Sequence, residues 1–309
     1  MKKNIALISA VISMIIVRFF WGAYGSELFG VQMGYKTVIE GIIIGEALMF
    51  GLPALVYALL SGKGSDNEVK VTGTNILRTL LLVPLVVISM YAFRELIANI
   101  SWIITGREIF DSEAASVSRS MSQWIMAVAG IVVAVPCFEE LWFRKIYVCS
   151  FQEIPGWITI AISSLIFLSV HSSFKQMVYL CPMALLCGVL AKKTNTIAYS
   201  IVIHSICNLT GLILPGTYNG VFSLKIASAS SNIVVSAVSA LALLVLIVIS
   251  WLLIDIIERK MAGGQKEGTE ESGTGGKKLI TVIYLLICIA AIIFVGLGER
   301  LLPASEHIH

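Results

Sequence analysis

The sequence predicts an all-α polytopic membrane protein, a helical bundle of about eight to nine transmembrane spans. Two observations predict it. Hydrophobic residues make up 57% of the chain and charged residues 13%, with a mean hydropathy of +0.90, a balance far outside that of soluble domains. Apolar runs of about 20 residues, the length that crosses a bilayer at 1.5 Å per residue, also recur along the chain. The six cysteines, Cys137, Cys149, Cys181, Cys187, Cys207 and Cys288, lie singly in apolar runs without CxxC spacing. Neither a zinc ribbon nor a disulfide framework is indicated, and they read as small core residues. A net charge of +3 points to no nucleic-acid partner; its distribution along the loops says more than its size.

Nine candidate spans follow in order: Ile5 to Trp21, Val38 to Leu60, Ile76 to Phe93, Trp124 to Cys149, Trp157 to Phe174, Met177 to Ala191, Ile197 to Pro215, Ile233 to Ile254 and Leu279 to Leu297. The stretch "ELIANISWIITGREIF" after the third is mixed in character and reads as interfacial. The expected organisation is therefore N-terminal helices and this interfacial segment over 1–123, a core over 124–215, and a further helix over 216–257. A flexible Gly-rich and charged linker over 258–278 then leads to a C-terminal helix and tail over 279–309. With the N-terminus placed inside, Lys and Arg are about twice as frequent on the cytoplasmic side, which puts the C-terminus outside. Lys2 and Lys3 ahead of a short apolar core resemble a signal peptide. Arg18 and the bulky Phe19, Phe20 and Trp21 stand where a small-residue cleavage site should begin, so the first span reads as uncleaved.

Charge inside such spans needs a reason, because an ionised side chain at mid-bilayer costs at least ~2.5 kcal/mol. The stretch "VPCFEELWFRKIY" carries Glu139, Glu140 and Arg144. His171 lies in "FLSVHSSF", and His204 and Asn208 lie in "IVIHSICNL". Either histidine alone could be a helix-to-helix hydrogen-bond partner, but three polar clusters on separate helices are harder to explain that way. Counting residues from the intervening turns puts Glu139 ~18 Å, His171 ~22 Å, His204 ~15 Å and Asn208 ~21 Å deep, so the clusters converge near the bilayer centre. His204 and Asn208, four apart, share a helix face, and Glu140 and Arg144 form an i,i+4 pair with the acid on the favourable side. Adjacent helix residues point ~100° apart, so Glu139 is expected to face a different partner from Glu140. One carboxylate is then available for chemistry and the other for architecture.

These motifs resemble those of a known family. "EELWFR" is similar to an EExxxR motif, "FLSVH" (Phe167 to His171) to FxxxH, and "HSICN" (His204 to Asn208) to HxxxN. Together and in this order they are the signatures of the CAAX prenyl protease and bacteriocin-processing family (CPBP, or Abi, proteins), which includes the Ras-converting CAAX endopeptidase. The resemblance covers roughly Trp124 to Pro215. It implies an intramembrane endopeptidase in which Glu139 activates the hydrolytic water, and His171, His204 and Asn208 position it and stabilise the oxyanion. Glu140, Arg144 and Phe167 would support them. A carboxylate in low dielectric suits general-base work and histidine donors can replace a metal, so no cofactor is expected. Zinc stays open as the alternative, with Glu139, His171 and His204 as its two-His, one-carboxylate set, although no HExxH helix is present. Nothing resembles an acyl-forming Ser or Cys triad, which favours direct attack by water.

Other intramembrane polar residues receive milder readings. Arg18 is expected to pair structurally with Glu40 or Glu46. Gly41 and Gly45 give a GxxxG spacing for close helix approach. Pro136 is placed to kink the fourth helix and free a backbone carbonyl. The competing function is a non-catalytic membrane scaffold binding a partner's transmembrane helix, which would be expected to lose motif residues; here every position is filled. A transporter would be expected to show inverted repeats and broken helices, and neither is found. The expected setting is a bacterial plasma membrane, and the expected partner is a membrane-associated peptide or protein, most simply an unprenylated small peptide. The oligomeric state is left open.

Overall fold

Backbone groups in hydrocarbon have no water to bond, so apolar runs this long must close their hydrogen bonds internally. A computed structural model describes residues 2–29, 35–61, 71–105, 120–171, 174–213 and 233–261, and among them every regular element is helical. The helices are α1 (Lys2–Phe29), α2 (35–61), α3 (Gly73–Thr105), α4 (121–146), α5 (Gly156–Ser169), α6 (Phe174–Thr194), α7 (Ala198–Ile213) and α8 (Ile233–Met261). Among the described residues five stretches are long and apolar enough to cross a membrane: Gly41–Ser61, Gly73–Ile100, Met121–Phe151, Met177–Thr194 and Ala237–Ile257. Asn4–Phe20, Gly156–Ser169 and Ala198–Ile213 are shorter apolar helices. The protein is an all-α, multi-pass membrane bundle.

Helix α3 is central, packing on α6, α7 and α8, while α1 lies along the second half of α2. α5 and α6 form a hairpin, and α7 packs on the first half of α4. The core between them is built on large side chains such as Phe50, Met90, Trp142, Phe143, Phe167 and Tyr199. Outward, α8 presents Leu241, Val245, Leu252 and Ile256 to its surroundings, as a lipid-facing helix should.

Two helices widen to π geometry, in α2 at Ala47–Gly51 and in α4 at Val128–Ala134 and Leu141–Ile146. Such bulges redirect side chains and free carbonyls, and often accompany functional sites. Here the two in α4 flank the segment Val135–Glu140, which carries the acid pair. Gly51 sits against that segment: a Cβ there would lie 2.9 Å from Cδ1 of Phe138. Only glycine allows so close an approach without displacing the ring.

Several expected boundaries shift. The expected interfacial stretch after Phe93 continues α3 to Thr105, because Ala98 and Asn99 are buried and the polar groups find partners within the bundle. There the Arg94 guanidinium donates to Glu95, and Asn99 Nδ2 donates to the Glu95 carbonyl at 2.8 Å. α5 ends at Ser169 rather than Phe174, so His171 stands in the turn that follows. α1 runs to Phe29 rather than Trp21, and α8 runs to Met261, four residues into the expected linker. The rest of that linker, the expected ninth span Leu279 to Leu297, and the tail with His307 and His309 lie outside the described residues.

Candidate active site

The acid pair leaves α4 toward α7. Glu140 is fully buried, and its Oε1 is 3.2 Å from an Arg144 guanidinium nitrogen one turn on and 2.9 Å from His204 Nδ1. Since a carboxylate only accepts, His204 donates through Nδ1. The other ring nitrogen, Nε2, is 3.4 Å from Oε2 of Glu139. The expectation that the two acids face different partners is therefore corrected: both carboxyls reach one imidazole, Glu140 at Nδ1 and Glu139 at Nε2.

Arg144 is fully buried, and its Nη2 donates to the Ala184 carbonyl at 3.1 Å. Ser164 donates to the same carbonyl at 3.1 Å, and Ser163 to the Phe143 carbonyl at 2.8 Å. The wide turn Leu141–Ile146 leaves such carbonyls needing a donor, and α5 supplies it.

Phe167 holds the histidines and the arginine in register. Its ring centroid lies 4.6 Å from the guanidinium carbon of Arg144, 4.8 Å from the His171 ring and 5.6 Å from the His204 ring, with Phe143 edge-on at 5.3 Å. Stacking on an aromatic face suits a buried guanidinium, which is weakly hydrated and planar. His171 Nδ1 bonds the Phe167 carbonyl at 2.8 Å; facing an acceptor, that nitrogen carries the hydrogen and leaves Nε2 as the acceptor of the neutral ring.

Asn208 is fixed from the other side. Within Val128–Ala134 the Val135 N–H bonds the Gly130 carbonyl, five residues back. The next donor in that register would be Pro136, which has no N–H, and its counterpart carbonyl is that of Ile131. Asn208 Nδ2 donates to this carbonyl at 2.9 Å.

A cavity of about 250 Å³ opens over these groups, with Glu139, His171 and Asn208 in its wall. His204 sits behind Glu139, and Glu140 and Arg144 lie deeper still. Glu46 of α2 and Tyr179 of α6 also line the cavity. The sequence offered Glu46 only as a partner of Arg18 and said nothing of Tyr179, an ordinary aromatic in an apolar helix. The Arg18 guanidinium does lie within electrostatic reach of Glu46, whereas the side chain of Glu40 is outside the described residues.

Among the described residues no group of three His, Cys, Asp or Glu side chains is placed to hold a metal ion. Each histidine donates through Nδ1, His204 to a carboxylate and His171 to a backbone carbonyl, the bonding by which metal-ligating histidines are also oriented, so Nε2 of each is the nitrogen that zinc would take.

Residues 121–210 match a family model described as type II CAAX prenyl endopeptidase, Rce1-like. No curated protein and no solved structure matches the chain. The matched region spans α4 to α7 and contains all three motifs.

Proposed function

We propose that the cavity between α4 and α7 hydrolyses a peptide bond of a membrane-associated peptide, with Glu139 as general base, a reading supported by the match of residues 121–210 to the Rce1-like family model of type II CAAX prenyl endopeptidases. The observation that carries this reading is the convergence of Glu139, His171 and Asn208, from three helical segments, on one buried cavity.

The roles follow from donors and acceptors. Glu139 takes a proton from a water whose oxygen attacks the scissile carbonyl carbon. His171 Nε2, an acceptor, orients that water through its second hydrogen. Asn208 has one amide hydrogen committed to Ile131 and a second to offer the oxyanion of the tetrahedral intermediate. When the carbon–nitrogen bond breaks, the proton on Glu139 passes to the leaving amine, giving a free amine and a carboxylic acid, which ionises on release to water. His204 donates to Glu140 through Nδ1, which fixes the imidazole beside the Glu139 carboxyl. Preorganised donors and bases in low dielectric supply most of such a rate enhancement.

The substrate we favour is an unprenylated peptide precursor, leader or signal peptide in a bacterial plasma membrane, with the N-terminus of the enzyme cytoplasmic. Cleavage of a mixed panel of prenylated and unprenylated membrane peptides by purified protein tests this. Wild-type cleavage lost in Glu139→Gln, His171→Ala and His204→Ala, and unchanged by a strong zinc chelator, is expected. Loss on chelation with recovery on added zinc would replace the general-base reading with a metallo-peptidase. A folded wild type that cleaves no peptide would favour the scaffold.

A further inference from the structure

One carboxylate in the cavity has no part in the chemistry above. Glu46 stands directly before the wide turn Ala47–Gly51 of α2, and its side chain lines the cavity with Glu139. Its Oε2 is buried and has no hydrogen-bond partner among the described residues. Glu46 and Glu139 are within electrostatic reach of each other. Arg18 reaches Glu46 from α1 but is not part of the cavity wall, and no Lys or Arg lines the cavity. The remaining wall is largely apolar, with Ile42, Met90, Val135 and Leu180.

A carboxylate oxygen removed from water and left without a donor is costly, and the cost falls when an occupant brings one. In a low-dielectric cavity lined by two acids, one imidazole whose Nε2 is an acceptor, and no Lys or Arg among the described residues, the occupant that gains most is a cation. No third ligand stands by to hold a metal ion, and the occupant under the proposed function is a peptide. We infer that Glu46 is a specificity-determining residue that receives the ammonium or guanidinium of a basic substrate residue close to the scissile bond. This inference rests on the peptidase reading. It adds to it a substrate class: apolar membrane peptides with a Lys or Arg next to the cleaved bond.

The test uses the full-length protein in phosphatidylcholine vesicles with an apolar 20-residue peptide whose cleaved bond is first located by mass spectrometry. A single Lys is then moved through each position within four residues of that bond, and each peptide has a Gln counterpart. Wild type is expected to favour Lys at one position by about 10-fold or more in kcat/KM, the range for a buried hydrogen bond to a charged group. Glu46→Gln is expected to reduce that preference to near unity, its kcat/KM on the Lys peptide falling about 10-fold further than on the Gln peptide. Glu46→Lys is expected to shift preference to a Glu at the same position. A wild type indifferent to Lys at every position overturns the inference whether or not the variants fold. So does an equal loss on Lys and Gln peptides in Glu46→Gln, which would mark the residue as a structural counter-charge to Arg18. Absence of wild-type cleavage of every peptide is the separate failure of the peptidase reading.

Discussion

Glu139 and Glu140 are neighbours in sequence with opposite expected responses to the same change. Glu140 is fully buried between Arg144 and His204, so Glu140→Gln strands a buried guanidinium. It is expected to lower stability by about 3–5 kcal/mol, measured as detergent-solubilised thermal unfolding. Glu139 borders a cavity, and among the described residues its carboxyl meets His204 Nε2 at 3.4 Å; Glu139→Gln is expected to unfold within about two degrees of wild type and to have no measurable turnover. Phe167 separates packing from positioning. Phe167→Leu keeps most of the volume, at a cost of about 1–1.5 kcal/mol. It removes the shared face on which Arg144, His171 and His204 rest, so kcat is expected to fall about 100-fold with KM little changed. A stability loss without a kcat loss would make Phe167 a core residue only.

At the scale of elements, the wide turns of α2 and α4 do what sequence periodicity does not announce. Pro136 leaves the Ile131 carbonyl to Asn208. Pro136→Ala supplies a competing N–H, so it is expected to lower kcat about 10-fold while leaving the unfolding temperature unchanged or higher. Gly51→Ala sets a Cβ against Phe138 and is expected to cost about 1–3 kcal/mol. Phe138→Leu in the same chain should recover most of it, a non-additivity measurable in a double-mutant cycle. These turns also explain what was legible. Existence and order of the helices could be read from apolar length, and depth counting brought the acid pair, His171 and Asn208 together because a helix rises evenly. The shared contact of both acids with His204 could not be read, since the ~100° between adjacent helix positions does not show that two long glutamate side chains reach the two nitrogens of one ring. The extension of α3 past Phe93 was hidden because Arg94 and Glu95 look like an interfacial end until each is seen to satisfy the other. Glu46 was visible as a buried charge, but assigning it to Arg18 concealed its place in the cavity wall.

For the whole molecule, the described helices form one membrane-embedded bundle around α3, with the motif-bearing α4 to α7 on one side of it. At the end of the bundle away from the cavity, Lys192 Nζ donates to the carbonyls of Phe151, Gln152 and Ile154 at 3.2, 3.1 and 2.9 Å. Gln152 joins Asn195 at 3.0 Å, so one ammonium ties the ends of α4, α5 and α6 together. Mechanically, α4 and α5 are levers clamped at that turn, with Glu139 along one and His171 just past the end of the other. Glu139 lies ~18 Å from the clamp at 1.5 Å per residue. A tilt of about 3° at the root therefore moves the carboxyl by roughly 1 Å, a misplacement that can cost about 100-fold in rate. The accuracy of a site buried in lipid is in this sense set at the water's edge, by a lysine that never meets the substrate.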